Sequence, residues 1–186
     1  GTSKVIVYVT PTVSNNRTRV LSLIPTVLTD VVITPENINN YLVMGELQVN
    51  PNTKVIFQGT FTDIGEINNN KNEVLFDGSN ATFTNTYFTI EANDNTIQNM
   101  NINNKDTSNY IIQNTGNNTV INNNILTQYN TNGQTAAIKD HNSKNTITTQ
   151  NTITVTGPAK AVMSEGGVRI ANTQAILSKN TTQSTI

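Results

Sequence analysis

Asn95-Thr96-Ile97, Asn118-Thr119-Val120 and Asn145-Thr146-Ile147 repeat one phrase along the middle of this chain, and seven residues before each stands an apolar residue, Phe88, Ile111 and Ile138. The intervals between the phrases, 23 and 27 residues, fall within the roughly 20 to 50 that marks stacked supersecondary units. Within a unit the order runs Ile97, Asn99, Ile102 and again Val120, Asn122, Ile125. A step of two is the strand period, and a step of three spends one extra residue on turning a corner at the asparagine. A chain that coils in this way lays each turn on the one before, about 4.8 Å away. The spacing therefore predicts a parallel β-helix solenoid in which Asn99 and Asn122 form a structural ladder, amide to amide.

Outward from this centre, a looser unit is placed at Val162-Met163 with Val168 and Ile170, since terminal repeats are commonly atypical. On the other side lie the short apolar segments Leu47-Gln48-Val49, Lys54 to Phe57, Glu73 to Phe76 and Ala81 to Phe83, punctuated by Gly59, Gly65 and Gly78. Farther back, Thr34-Pro35-Glu36-Asn37 offers a threonine N-cap and a proline at the first helical position. Ile38, Tyr41 and Leu42 continue at helical spacing, which predicts a short helix ending by Gly45 and capping the open end of the solenoid. Lys4 to Thr10 is β-branched on both faces and stopped by Pro11, and Val20 to Ile33 is broken at Pro25 into two more short strands. The expected organisation is all-β: residues 1–44 carry N-terminal strands and the capping helix, and residues 45–186 the parallel β-helix.

Composition agrees with strands and turns. Asparagine and threonine make up about a third of the 186 residues, and charged residues only 12%. Both are poor helix formers, at home on strand faces and in turns. With a net charge of −1 and apolar residues in register, the chain lacks the high charge of a disordered segment. It also lacks a basic footprint for nucleic acid or anionic lipid. Without cysteine there are no disulfides, thiol catalysts or thiolate metal sites. No run of about 18 apolar residues occurs, so no membrane insertion is expected in this segment. Gly1 opens the sequence, so any signal peptide or anchor is expected to have been removed or to lie outside it.

The Asn-Thr-Ile units, together with Phe57-Gln58-Gly59-Thr60-Phe61-Thr62-Asp63-Ile64 and Phe76-Asp77-Gly78-Ser79-Asn80-Ala81-Thr82-Phe83, resemble the right-handed parallel β-helix repeats of adhesin-like surface proteins of methanogenic archaea. The resemblance covers roughly residues 32–153. It implies a secreted, cell-surface chain of greater length whose partners are surface glycans or proteins of other cells, or copies of itself. Similar repeats occur in pectin lyases, periplasmic copper-pathway proteins and phage tailspikes, so the repeat identifies a scaffold before it identifies a task.

A polysaccharide-cleaving site on such a scaffold needs stacked carboxylates on one outward face. Aligned on Phe88, Ile111 and Ile138, Glu91 meets Asn114 and His141, and Asp94 meets Asn117 and Lys144, so no carboxylate falls above another. Asp63 with Glu66 and Glu73 with Asp77 read as solvated turn charges, although Asp63, Glu73 and Asp77 are the mutational targets if the chain is a carbohydrate-active enzyme. His141, Asp140 and Ser143 lie together in a turn, without a Gly-x-Ser-x-Gly motif or an oxyanion hole. Glu165-Gly166-Gly167 reads as a turn, and no calcium-binding nonapeptide or EF-hand appears. No catalytic residue, metal or cofactor is expected. The sequons at Asn16, Asn80, Asn117 and Asn180 permit glycosylation.

Tyr87, Tyr110 and Tyr129 are the expected contact residues, because a flat apolar ring with a polar tip suits sugar rings and protein partners. Tyr87 and Tyr110 precede Phe88 and Ile111, which places them at equivalent positions one coil apart, where they serve either as a carbohydrate platform or only to cover sheet edges and support one another. The function expected is a non-catalytic adhesin segment displaying a binding wall. Its rivals are a carbohydrate-active enzyme, and a filament subunit whose Val5 to Val9 strand completes a sheet edge in a neighbouring copy.

Overall fold

The computed structural model describes residues 27–105, 109–129, 135–165, 168–171 and 173–177. The expected strand at Lys4 to Thr10, and the sequons at Asn16 and Asn180, lie outside them. The described chain is a β-solenoid of about five turns, with three parallel walls. The first wall holds β1 (Thr29–Ile33), the leading parts of β4 (Thr53–Asn69) and β5 (Val74–Ile90), then β6 (Thr96–Gln98), β9 (Val120–Asn122), β12 (Thr146–Thr149) and β15 (Val168–Ala171). The second holds the middle of β4 and β5, then β7 (Asn101–Lys105), β10 (Ile125–Tyr129), β13 (Thr152–Thr156) and β16 (Gln174–Leu177). The ends of β4 and β5 begin the third, continued by β8 (Ile112–Asn114), β11 (Ala136–Asp140) and β14 (Lys160–Ser164). Bonded groups one turn apart are separated by 21 residues at Val74 and Asn95 and by 27 at Asn124 and Asn151.

Alternation along each strand sends one apolar column inward from every wall. Val55, Phe76, Ile97 and Ile121 stack in the first wall, Phe61, Phe83, Ile102, Leu126 and Ile153 in the second, and Ile67, Phe88, Ile112, Ile138 and Val162 in the third. The widest part of the core is aromatic: Phe57 meets Phe61, Phe83 and Phe88 edge-on, while Phe61 and Phe83 stack at 4.9 Å. Such pairs add roughly 0.5–1.5 kcal/mol each beyond burial.

The register departs from the expected one by a single residue in the fourth turn. Ile97 pairs with Ile121, while Val120 pairs with Thr96 and Ile147, and Phe88 pairs with Ile112 in place of Ile111. Both runs are doubled, Val120-Ile121 and Ile111-Ile112, so either member satisfies the spacing. Burial separates them in the first wall, where Ile121 is fully enclosed and Val120 half-exposed. The later unit agrees with the expectation, since Ile138 pairs with Val162.

The helix expected from Thr34 to Gly45 is a single 3-10 turn, Ile38–Asn40. Thr34 and Asn37 do cap one another, each side-chain oxygen accepting from the other's backbone N–H. The helix stops because Leu42 and Val43 (β2) pair antiparallel with Glu46 and Leu47 (β3), and Gln48 N–H donates to Tyr41 O. Met44 and Gly45 join the hairpin with φ of 51° and 82°, the positive pair that a two-residue type I′ turn requires.

Candidate functional site

The corners decide which polar side chains are left for a site. Each outer corner carries a ladder headed by an aspartate. Asn85 donates to Asp63 at 2.7 Å, Asn99 to Asp77 at 3.1 Å and Asn118 to Asp94 at 3.0 Å, and the chains continue from Asn123 to Asn99 and from Asn145 to Asn118. Asn85, Asn99, Asn118, Asn123 and Asn145 all have φ between 48° and 59°, the left-handed conformation that asparagine tolerates. The ladder of Asn99 therefore runs to Asn123, and the expected partner Asn122 pairs instead with Gln98 and Thr149 on the first wall. The reason is again a doubled residue.

A second ladder runs inside. Asn124 and Asn151 are buried; Asn124 accepts from Met100 N–H and donates to Ile97 O, and Asn151 accepts from Asn124 N–H and donates to Ile121 O. At the opposite inner corner, buried Asn114 donates to buried Asp140, which also accepts from the Ser143 hydroxyl. Ser143 is bonded onward to Thr146, while His141 pairs with Glu165 and Asn142. No hydrogen bond links Ser143 to His141.

Asp63 and Asp77, the carboxylates that an enzyme reading singles out, are thus ladder heads; Glu73 stands in a corner with φ of 57°. Burial pushes the Asp77 carboxyl up, but hydrogen bonds from Ser79 and Asn99 and the charge of Lys54 outweigh it, leaving the group below its ordinary 3.8. A depressed folded value means that the contribution to stability is complete above 3.8 and is lost as pH falls through the folded value. Thermal melting in acid is expected to show wild type losing more stability across that window than Asp77→Asn, which has no carboxyl there to protonate. Glu165 is held below the usual carboxylate range by hydrogen bonds first from Lys139 and then from His141.

The tyrosines gather about one corner, between the second and third walls. Tyr87 and Tyr110 line a common cleft of about 330 Å³ with Glu66, Thr89, Glu91 and Gln113. They reach it from unlike positions, for Tyr87 lies opposite Glu66 in the preceding turn, and Phe88 N–H donates to Ile111 O in the next. Tyr110 is thus one residue out of step with Tyr87, and they are not equivalents one coil apart. The Asn109 carbonyl beside Tyr110 is tied down by Gln128 at 2.7 Å. Tyr129 stands on the other side of the corner, 42% exposed, between Lys105 and Thr156 of the second wall.

The cleft also holds a carboxylate pair that spacing did not reveal. Asn68 donates through one amide nitrogen to Glu66 at 3.3 Å and to Glu91 at 3.1 Å. These glutamates approach diagonally across adjacent turns, so alignment by columns passes over them. Among the described residues, no group of three or more His, Cys, Asp or Glu side chains is placed to hold a metal ion, and no helix is long and apolar enough to cross a membrane. No protein-family model matches the chain, and no curated protein or solved structure matches it either.

Proposed function

We propose that this chain is a non-catalytic segment of an extracellular cell-surface adhesin, a rigid β-helix that displays a binding wall to glycans or proteins of other cells. The observation that carries the reading is the shared cleft of Tyr87 and Tyr110. Two half-buried amphipathic rings lining an open cleft, on a frame whose own amides are bonded along its axis, are suited to stacking against a sugar ring or a protein side chain. The resemblance to adhesin-like repeats of methanogenic archaea supports the same role. A right-handed winding belongs to this reading, as the hand that parallel crossovers take in about 98% of cases.

The test is a glycan array and a cell-binding assay with the whole chain and with the double variant Tyr87→Ser/Tyr110→Ser. At least a tenfold loss of binding is expected, about 1.4 kcal/mol, with melting unchanged. Undiminished binding removes the tyrosine wall.

The Glu66–Glu91 pair favours one rival, a carbohydrate-active enzyme. Carboxylates bridged by one amide nitrogen are within reach of the roughly 5–5.5 Å used by retaining glycosidases. Release of reducing ends from a polysaccharide, abolished in Glu66→Gln and in Glu91→Gln, is the result that decides for it.

A further inference from the structure

The second wall carries polar groups for which the fold has no use. Its outward residues form two uncharged ranks running along the solenoid axis, beside a shorter third rank of Lys105, Tyr129 and Thr156. One is Thr60, Thr82, Asn101, Ile125 and Thr152; the other is Thr62, Thr84, Asn103, Thr127 and Thr154. All ten are exposed or half-exposed. Neighbours within a rank are separated by the strand spacing of about 4.8 Å, and the ranks by two residues of strand, roughly 6.5 Å. The wall is thus a lattice of side chains with two fixed repeats.

Two contrasts set this lattice apart from the other polar groups of the molecule. At the corners, asparagines such as Asn99, Asn118 and Asn124 spend their amides on the turn above or below. Asn101 and Asn103, like the hydroxyls of Thr60, Thr62, Thr82 and Thr127, make no side-chain hydrogen bond among the described residues. Their donors and acceptors face solvent in register. The second contrast is charge: neither rank contains a carboxylate or a cation, whereas the cleft of the third wall holds Glu66 and Glu91. A concavity of about 710 Å³ lies along the border of the lattice over Gly59 and Gly78, with Asn80, Thr82 and Asn101 among its walls.

The geometry points to a docking face for an uncharged polysaccharide, lying along the solenoid axis so that successive sugar residues meet successive turns. An asparagine amide offers a donor beside an acceptor, as does a pair of neighbouring sugar hydroxyls, and threonine hydroxyls supply either. Threonine methyls and Ile125 pack against the apolar faces of the rings, and Tyr129, beyond the second rank, gives a ring platform. A charged glycan finds no counter-charge in either rank. The proposal rests on the display-wall reading but uses a different wall from the tyrosine cleft, so the two can fail separately.

The experiment is retention of the full chain on insoluble cellulose, β-1,3-glucan and mannan, with alginate as the anionic comparison and ice crystals as a second patterned surface. Wild type is expected to be held by at least one neutral polysaccharide and not by alginate or ice. Asn101→Ala/Asn103→Ala is expected to lower that retention at least tenfold with the fold intact by circular dichroism, and Val43→Ser, exposed on the β2–β3 hairpin and outside both walls' contact residues, to leave it unchanged. Because both asparagines are exposed and unbonded, the variant tests the face and not the frame. Retention that survives Asn101→Ala/Asn103→Ala, or that is confined to alginate or ice, overturns the proposal. A chain that adheres to cells through Tyr87 and Tyr110 but ignores every neutral polysaccharide also overturns it, and leaves the adhesin role standing.

Discussion

Gly116→Ala is expected to destabilise the solenoid by about 3 kcal/mol, at the upper end of the usual cost of overpacking. A β-carbon at Gly116 falls 1.8 Å from the Ala92 carbonyl oxygen and 2.7 Å from its carbon. Those are backbone atoms of the preceding turn, with no flexible end to swing aside. The obstacle is space and not conformation, since Gly116 is not among the glycines with positive φ. Gly65 makes the complementary control. It has φ of 78° and nothing within 4 Å of an added β-carbon, so alanine there brings strain of roughly 1–2 kcal/mol. For a chain of this size 1 kcal/mol lowers the melting temperature by about 2–4 °C. Calorimetry should therefore place Gly116→Ala well below Gly65→Ala, and the reverse order would contradict the close stacking of these turns.

Asn124→Leu is the second large effect, expected at about 2–4 kcal/mol. Leucine conserves much of the volume but strips the Met100 N–H of its acceptor and the Ile97 carbonyl of a donor. Both lie in the interior, where each buried backbone group left without a partner costs about 1–3 kcal/mol. The readout beyond a denaturant midpoint is hydrogen exchange at the Met100 amide. Protection there should fall in the variant by more than at Val120, whose amide donates to the Asn95 backbone carbonyl. Equal protection at Met100 in both proteins would mean that the inner ladder contributes nothing.

The two effects share an origin that was only partly legible in the sequence. The repeat, the parallel strands and the asparagine corners could be read from Phe88, Asn95 and their later copies, because strand period and corner spacing are local properties. Register could not. In Val120-Ile121-Asn122-Asn123-Asn124-Ile125-Leu126 every element of the pattern is present at least twice, so two alignments one residue apart fit equally well. The choice is made by contacts with neighbouring turns: Ile121 and Leu126 go inside, and Asn123 takes the outer ladder and Asn124 the inner. A slip of one residue exchanges the faces of a strand, and it is this slip that sets Asn122 on the first wall and Asn123 on the ladder of Asn99.

The site shows the same division. Tyrosine is conspicuous in a chain with five of them, and Tyr87 and Tyr110 do share a cleft, although by a different alignment from the one their spacing implied. Glu66, Asn68 and Glu91 left no sequence signal, because their meeting depends on a diagonal between turns. The helix expected at Ile38 to Leu42 failed for a comparable reason. Its cap is real, but the pairing of Leu42 with Leu47 is a competing interaction that helical spacing does not register.

The aspartates heading the corner ladders give the rod a direction. A carboxylate receives hydrogen bonds and returns none, so Asp63, Asp77 and Asp94 begin their files and cannot pass one upstream. The asparagines behind them face both ways. A turn copied after Asn123 or Asn145 therefore extends its file amide to amide, whereas a turn added before Asp63 meets an acceptor only.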